Sequence, residues 1–301
     1  MVPFAFSVAL VSASMTPETD SGIDGILAPD AKLETLASGH RFTEGPVWTR
    51  RGTLIFSDIP MNRLFEWTPG EGGPKVYREP SNNANGNTLD IEGRLVTCEH
   101  GSRRVTRTEA DGTVTVLADL FEGKRLDSPN DVAVHPNGTM FFTDPPYGIR
   151  PEQAELDFNG VFRLSTDGVL TVVDRKRVRP NGIVLSPDRR RLYVADTEGE
   201  NVMVYPVDAD ASVGTGHEFA STKVESGRSS PDGMRVDTKG NLYVATSVGV
   251  QVFSPNGVRL GIVRTPKAAT NCAFGEDGKT LFVTSMESVY RVRLSVAGVM
   301  P

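Results

Sequence analysis

Six copies of one hairpin pattern recur along the chain, and this repeat constrains the fold more than any other feature. In each copy, a turn rich in Gly, Pro, Asn or Asp leads into a short strand that opens on an apolar residue. The opening residues are Leu54, Leu95, Met140, Leu192, Leu242 and Leu281, separated by 41, 45, 52, 50 and 39 residues. A repeat of about 40–50 residues has the length of a four-stranded propeller blade. The sequence therefore predicts an all-β fold, a six-bladed β-propeller.

A polar residue precedes each opening residue at a constant distance. It lies ten positions earlier, or eleven in the fourth copy, and it is always a carboxylate or a carboxamide: Glu44, Asn85, Asn130, Asn181, Asp232 and Asn271. Equivalent positions of successive blades lie on one ring around the propeller axis, so these side chains are expected to converge in a central metal-binding channel. The alternative is that Asn and Asp recur because they form Asx-turns where strands begin. Glu44 is a poor former of such turns and therefore favours the ring.

The composition argues against two classes of partner. The formal net charge is −6 and the isoelectric point is about 5.4, whereas a nucleic-acid partner needs a basic face. No run approaches the ~20 apolar residues of a membrane span. Cys98 and Cys272 fall in blades 2 and 6, which are not neighbours, so both are expected to be free thiols. Without Cys-x-x-Cys or His partners at motif spacing, the chain has no zinc signature.

The N-terminal residues are predicted to be a flexible lead-in, residues 1–32, that precedes a propeller domain at residues 33–301. Residues 2–13 form a short apolar run that resembles a signal segment, although no Lys or Arg precedes it. A start at Met15 and an uncleaved tail are the alternatives. The expected location is cytoplasmic, or periplasmic or secreted if residues 1–14 are a signal segment.

The first strand of the domain is expected to close the ring. Residues 32–42 alternate weakly between apolar and polar, and an unclosed propeller would expose the edges of its first and last blades. This segment is therefore predicted to pair with the last blade.

The ring residues have the chemistry of a calcium site. Hard oxygen ligands without His or Cys select calcium or magnesium over zinc, and mixed carboxylate and amide ligands favour calcium, with other divalent cations as alternatives. Glu44 and Asp232 would neutralise the ion. Asn181 is the best third ligand, because Pro180 and Gly182 fix its backbone. Asn130 is predicted as a fourth ligand or as a substrate donor.

Asp232 is the predicted catalytic residue, either as the general base that activates water or as the nucleophile. The ion is expected to act as a Lewis acid on a carbonyl or phosphoryl oxygen. Substrate contacts are expected from the ring and its border: Asn130, Asn85, His100, Asp144 and Tyr147. The last two belong to a Pro-rich insertion at residues 143–159, and long insertions of this kind are often functional.

These motifs make the chain resemble the calcium-dependent lactonases, a family that includes gluconolactonase and senescence marker protein (regucalcin), with diisopropyl fluorophosphatase as a relative. The carriers run in order from about residue 40 to residue 294 and most resemble bacterial gluconolactonases: Phe42-Thr-Glu-Gly-Pro-Val-Trp48, Ala84-Asn-Gly-Asn-Thr88, Leu95-Val-Thr-Cys-Glu-His-Gly101, Ser128-Pro-Asn-Asp131, Phe141-Phe-Thr-Asp-Pro-Pro-Tyr-Gly148, Arg179-Pro-Asn-Gly182 and Pro231-Asp-Gly-Met234. The resemblance implies a six-bladed propeller with one catalytic calcium, whose ligands fall on Glu44, Asn181 and Asp232. Some members carry an Arg two residues before the blade 3 Asn. This chain has Ser128 there, with Lys124 or Arg125 as nearby substitutes.

The function predicted from the ring and the resemblance is a calcium-dependent hydrolase that opens the ring ester of a sugar lactone such as gluconolactone, with this small molecule as its partner. One alternative keeps the metal chemistry and changes the substrate to another lactone or to an organophosphate triester. A second is a non-catalytic propeller that serves as a binding platform, which predicts an ion-free channel. Against the platform, two carboxylates crowded together without a cation would repel each other.

Overall fold

The computed structural model describes residues 14–15 and 21–301, and the predicted six-bladed β-propeller is confirmed. Five blades are antiparallel sheets of four strands, and the sheet of blade 6 has a short fifth strand. The first strands of neighbouring blades contact each other in a closed circle from blade 1 to blade 6 and back to blade 1. These strands therefore line the central channel, and the ring residues lie at or just before their starts.

The strands of each blade follow one another along the chain. Blades 1 to 3 are formed by Thr43–Trp48, Leu54–Asp58, Arg63–Trp67 and Lys75–Arg78, by Ala84–Leu89, Leu95–Glu99, Arg104–Thr108 and Val114–Ala118, and by Val132–Val134, Met140–Asp144, Gly160–Leu164 and Leu170–Asp174. Blades 4 and 5 are formed by Pro180–Leu185, Arg191–Asp196, Asn201–Pro206 and His217–Ser221, and by Met234–Val236, Leu242–Thr246, Gly249–Phe253 and Arg259–Val263. Each predicted opening residue lies at the first or second position of a second strand.

Blade 6 confirms the predicted closure of the ring. Its first three strands are Asn271–Gly275, Thr280–Ser285 and Ser288–Arg293, and its fourth strand is the early segment Leu33–Ala37. The two-residue strand Ser14–Met15 pairs with the outer edge of this fourth strand. Antiparallel pairing between Thr35 and Tyr290 joins the two ends of the domain. The last blade is therefore completed by residues from the start of the chain.

Leu33 anchors this closing strand, since its side chain is only 2% exposed within the core between blades 5 and 6. We expect Leu33→Ala to lower the free energy of unfolding by about 2–4 kcal/mol, because it leaves a cavity that the surrounding side chains cannot fill. Leu120→Ala is the matched control, since Leu120 is 49% exposed and its replacement should change stability by less than ~0.5 kcal/mol. Urea unfolding of both variants measures the difference. Equal midpoints would contradict a closing role for this strand.

The core consists of apolar side chains packed between adjacent blades. Trp48 and Trp67 are buried as predicted, and the Trp48 ring stacks on Phe282 of blade 6 at 5.4 Å between centroids. Cys98 and Cys272 are buried and free, which confirms the prediction that they form no disulfide.

Residues 21–32, which the sequence assigns to the flexible lead-in, pack on the propeller instead of standing free of it. They begin with a 3₁₀ turn at Ser21–Ile23, and Ile23 and Ile26 are buried in the same core as Leu33. The boundary at residue 32 stays a prediction. The predicted signal segment lies outside the described residues, apart from a short strand at Ser14–Met15.

Three further short elements lie outside the blades. A small hairpin pairs Leu120–Phe121 with Lys124–Arg125, and the blade 3 insertion contains 3₁₀ turns at Pro146–Gly148 and Pro151–Gln153. Within the described part of the chain, no helix has the length and apolar character needed to cross a membrane.

Candidate active site

The six ring residues form a continuous circle in the structure. Close packing links most neighbouring pairs, because a glycine follows the ring residue in four blades. A Cβ atom on Gly182 would come within 2.2 Å of the backbone oxygen of Asp232, and one on Gly45 would come within 2.0 Å of the backbone oxygen of Asn85. Gly86 and Gly233 are equally close to the ring residues of the next blades. These glycines let successive ring residues approach each other, which explains their position in the repeat.

The circle is closed between blades 6 and 1 by a hydrogen bond. The Asn271 side chain donates to Glu44 Oε2 at 3.0 Å, and the same oxygen accepts from the backbone of Gly45 at 2.6 Å. Between blades 3 and 4, Thr143 donates its hydroxyl proton to the backbone oxygen of Asn181 at 2.6 Å. The convergence predicted from the sequence is therefore present.

Asp232 differs from the other ring side chains in its contact with solvent. It is partly exposed, whereas the remaining five are buried. The protein that surrounds Asp232 raises its pKa well above the usual value, and the negative charges of Glu44 and Asp131 raise it further. Burial likewise raises the pKa of Glu44 to about 7, although its bonds to Asn271 and Gly45 oppose the shift. Both carboxylates thus lie where a nearby cation would favour their charged forms.

Asn181 is held by hydroxyl groups on both sides. Its Nδ2 donates to Thr197 Oγ1 at 3.0 Å and lies 3.5 Å from the Tyr147 hydroxyl. Thr197 in turn donates to the backbone oxygen of Pro231, the residue before Asp232. Tyr147 therefore borders the ring, as the sequence predicted, and the carbonyl oxygen of the Asn181 amide accepts no hydrogen bond from the described residues.

His100 and Asn85 form a buried pair on blade 2. The side-chain nitrogen of Asn85 lies 3.1 Å from His100 Nε2, while Asn85 Oδ1 is buried without a partner among the described residues. Burial lowers the pKa of His100 to about 4, so the imidazole is neutral at pH 7. In a six-bladed circle, blade 2 faces blade 5, which places this pair across the channel from Asp232.

Ser128 holds the blade 3 insertion in place. Its hydroxyl donates to the backbone oxygen of Pro145 at 2.5 Å and accepts from the backbone of Gly148 at 2.9 Å. Lys124 and Arg125 are exposed on the small hairpin, and Arg125 donates to the backbone oxygen of Ser102. Arg179, two residues before the blade 4 ring residue, lies 5.2 Å above the Tyr147 ring. Arg179 thus contacts Tyr147 at the border of the six ring residues, and the sequence analysis did not predict it as a site residue.

Residues 42–287 match the family described as the SMP-30/Gluconolactonase/LRE-like region. The gluconolactonase of Zymomonas mobilis is 34% identical over 92% of this chain and 85% of that protein. The chain belongs to this family. The pentonolactonase XacC of Haloferax volcanii is 33% identical over 81% of each chain. A solved gluconolactonase from Xanthomonas campestris superposes with a TM-score of 0.84 at 34% identity, covering 95% of this chain and 99% of that one.

In this member of the family, the ring fits a hard cation by its donor set. Within the described residues, no three His, Cys, Asp or Glu side chains stand together as a metal cluster. The ring supplies two carboxylates, Glu44 and Asp232, and the remaining donors must be amide oxygens such as those of Asn181 and Asn130. The oxygen of the Asn85 side chain is buried without a hydrogen-bond partner among the described residues and is one more acceptor in the ring. Such an oxygen-only set suits calcium or magnesium.

A second register of carboxylates supports the ring, and the sequence did not reveal it. Asp58, Asp144 and Asp196 each end the second strand of a blade, and each accepts hydrogen bonds from backbone nitrogens three and two residues before the ring residue. All three lie four positions after a strand-opening residue, so the repeat itself carried the signal. They fix the loop that leads into the ring.

Asp144 was predicted to contact substrate, but it lies behind the ring residues, in the interior of the protein. It is fully buried behind the loop at Asp127, where its Oδ2 accepts from the backbone at 2.8 Å. Burial raises its pKa to about 8. A direct substrate contact stays a prediction that this burial does not favour, and the structure gives Asp144 the same positioning contacts as Asp58 and Asp196.

Asp196 offers the cleanest test of this register. We expect Asp196→Asn to lower the free energy of unfolding by about 1–3 kcal/mol and also to lower turnover per folded molecule. The reason is that Asn has only one side-chain oxygen, whereas the two oxygens of Asp196 accept hydrogen bonds from the backbone nitrogens of Val178 and Arg179. Asp237→Asn is the control, since Asp237 also accepts from two backbone nitrogens but lies in the turn after the first strand of blade 5. Thermal unfolding measures the stability effect, and turnover divided by the concentration of folded protein measures the effect on catalysis. Equal turnover in both variants would remove the positioning role.

Proposed function

We propose that the protein is a calcium-dependent lactonase that opens the ring ester of a sugar lactone. The observation that carries the proposal is the meeting of Glu44, Asn181 and Asp232 in one channel, in a chain that belongs to a family with gluconolactonase and pentonolactonase members. The two carboxylates repel each other unless a cation lies between them, and the amide oxygens complete an oxygen-only ligand set.

Glu44, Asn181 and Asp232 would hold the ion, with Asn130 as the fourth ligand or as a substrate contact. The bound ion supplies Lewis-acid polarisation of the lactone carbonyl. Asp232 is the base because it is the ring carboxylate that retains contact with solvent. A water molecule adds to the carbonyl carbon while Asp232 takes its proton. The bond from that carbon to the ester oxygen of the lactone ring then breaks, and this oxygen receives the proton, which yields the open hydroxy acid.

The other channel residues would orient the sugar. The neutral His100 and the Asn85 amide offer uncharged hydrogen-bonding groups opposite Asp232. Tyr147 presents a hydroxyl near Asn181, and its ring is 39% exposed at the border. Uncharged groups of this kind suit the hydroxyls of a sugar lactone.

The test is a substrate panel measured with a pH indicator, corrected for spontaneous hydrolysis. We expect turnover of glucono-1,5-lactone and of a pentonolactone to exceed that of a phosphotriester such as paraoxon. Preference for the phosphotriester would move the assignment to an organophosphate hydrolase. No turnover of any panel member in the presence of calcium would leave a binding platform and contradict the proposal.

A single turnover in ¹⁸O-labelled water separates the two roles of Asp232. If Asp232 is the base, the label enters the hydroxy acid and not the protein. Label found in the Asp232 carboxylate would instead show a covalent acyl intermediate.

A further inference from the structure

A second cavity lies at the opposite end of the central channel from the ring. Its volume is about 300 Å³, and its apolar walls include Leu89, Val134, Leu185 and Val236. Each of these residues stands four positions after a ring residue on an innermost strand. At about 3.3 Å per strand residue, these four residues lie roughly 13 Å from the ring. The cavity extends toward the ring as far as Val132 and Ile183, and no ring residue lines it.

The charged side chains of this lower cavity are mostly arginines, and one of them has no partner. Arg50 donates to the backbone oxygen of Ile91, and Arg235 donates to that of Met234. The guanidinium of Arg189 makes no hydrogen bond or ion pair with any residue that the structure describes. Burial lowers the pKa of Arg189.

The one acidic side chain on the cavity wall, that of Asp90, does not balance these charges. Asp90 is already paired with Arg94, whose Nε lies 2.7 Å from its Oδ2, and it also accepts two backbone hydrogen bonds. A half-buried cation beside apolar walls is costly without a counter-charge. An anion in the cavity would offset that cost, and an apolar body on the same molecule would cover the walls.

We propose that this lower cavity is a second ligand site, for a small amphipathic carboxylate whose charge pairs with Arg189 and whose apolar body contacts Leu89, Leu185 and Val236. The site does not depend on the lactonase activity. At the ~30 Å³ that a water molecule occupies in the liquid, the cavity holds a ligand of about ten non-hydrogen atoms. Octanoate has this size and is the probe.

Isothermal titration of the full-length protein with octanoate tests the proposal. We expect saturable binding in the micromolar to millimolar range, and roughly tenfold weaker binding of hexanoate, because two methylene groups are lost. 1-Octanol controls for the charge and should bind at least ~10-fold more weakly. Equal affinity for octanoate and octanol, or no saturable octanoate binding at millimolar concentration, would overturn the proposal.

Variants locate the binding. Arg189 has a φ of 62°, so Arg189→Asn is the suitable neutral change, since Asn tolerates this conformation. It should weaken octanoate binding at least ~10-fold, whereas Arg189→Lys keeps the charge and most of the affinity. Arg190→Asn changes the exposed neighbour, which does not line the cavity, and should bind like the parent. Undiminished binding in Arg189→Asn, or its loss in Asp232→Asn, which would place octanoate at the ring, would overturn the assignment.

Discussion

Asp232→Asn is expected to lower lactone turnover by about 10²–10⁴-fold while leaving the propeller folded. General acid–base catalysis alone contributes a factor of this size, and the amide can neither take a proton from water nor neutralise a bound cation. Neither Cβ nor side-chain volume changes, so the packing of Gly182 against the Asp232 backbone is retained. The measurement is steady-state hydrolysis of glucono-1,5-lactone, in excess calcium.

The same substitution is not expected to destabilise the metal-free protein. Asp232, Glu44 and Asp131 are three carboxylates whose pKa values are all raised by burial. Replacing one of them by a neutral amide removes an unfavourable charge, so the melting temperature without calcium should stay level or rise. Asp167→Asn, on an exposed turn of blade 3, is the control for both measurements. Turnover above a tenth of the parent value in Asp232→Asn would remove Asp232 from the catalytic role.

The repeat made most of the architecture predictable. A hairpin of constant register defines where the second strand of each blade opens, and stepping back ten or eleven residues finds the ring, because every blade uses the same strand pairing. The closing strand at Leu33–Ala37 followed from the cost of an open edge. These inferences needed only local patterns and the symmetry of the fold.

The remainder depends on contacts between distant parts of the chain. Asp144 was predicted to touch substrate because it begins a Pro-rich insertion, yet its hydrogen bond runs inward to Asp127, seventeen residues earlier. The contact of Asp131 with Arg235 joins blades 3 and 5 below the ring, where Nη1 lies 3.8 Å from Oδ2. The repeat gives Asp144 the same register as Asp58 and Asp196 but does not say where its side chain points, and Asp131 has no such register. Side-chain direction after a turn decides both cases.

The lower cavity illustrates the same limit. Arg189 lies in a run of three arginines that reads as a solvated turn in the sequence, and only the fold shows that one of the three turns toward the channel. The constant spacing of four residues between a ring residue and a residue of the cavity wall is visible in the sequence. The sequence does not show that the space between the walls stays open.

Calcium removal is the second large effect that we expect. A chelator should abolish lactone turnover, and added calcium should restore it. The melting temperature should rise with the logarithm of calcium concentration above Kd, with a stabilisation of about 2.7 kcal/mol at a hundredfold excess. The physical reason for this expectation is that the proposed site exists only in the folded protein, where Glu44 and Asp232 are held together, and not in the unfolded chain, where they lie far apart. Magnesium should require higher concentrations, since it tolerates irregular mixed ligands poorly.

Glu44→Gln identifies the ring as the origin of this response. The substitution keeps the size of the side chain and one acceptor oxygen, but it removes one of the two ring carboxylates. Calcium should therefore no longer raise the melting temperature in the same concentration range. Glu71→Gln is the control, because Glu71 is an exposed residue in the turn between the last two strands of blade 1. If the parent protein kept its turnover after complete chelation, or if Glu44→Gln kept the full calcium response, the cation would bind elsewhere. The channel would then act through its carboxylates alone.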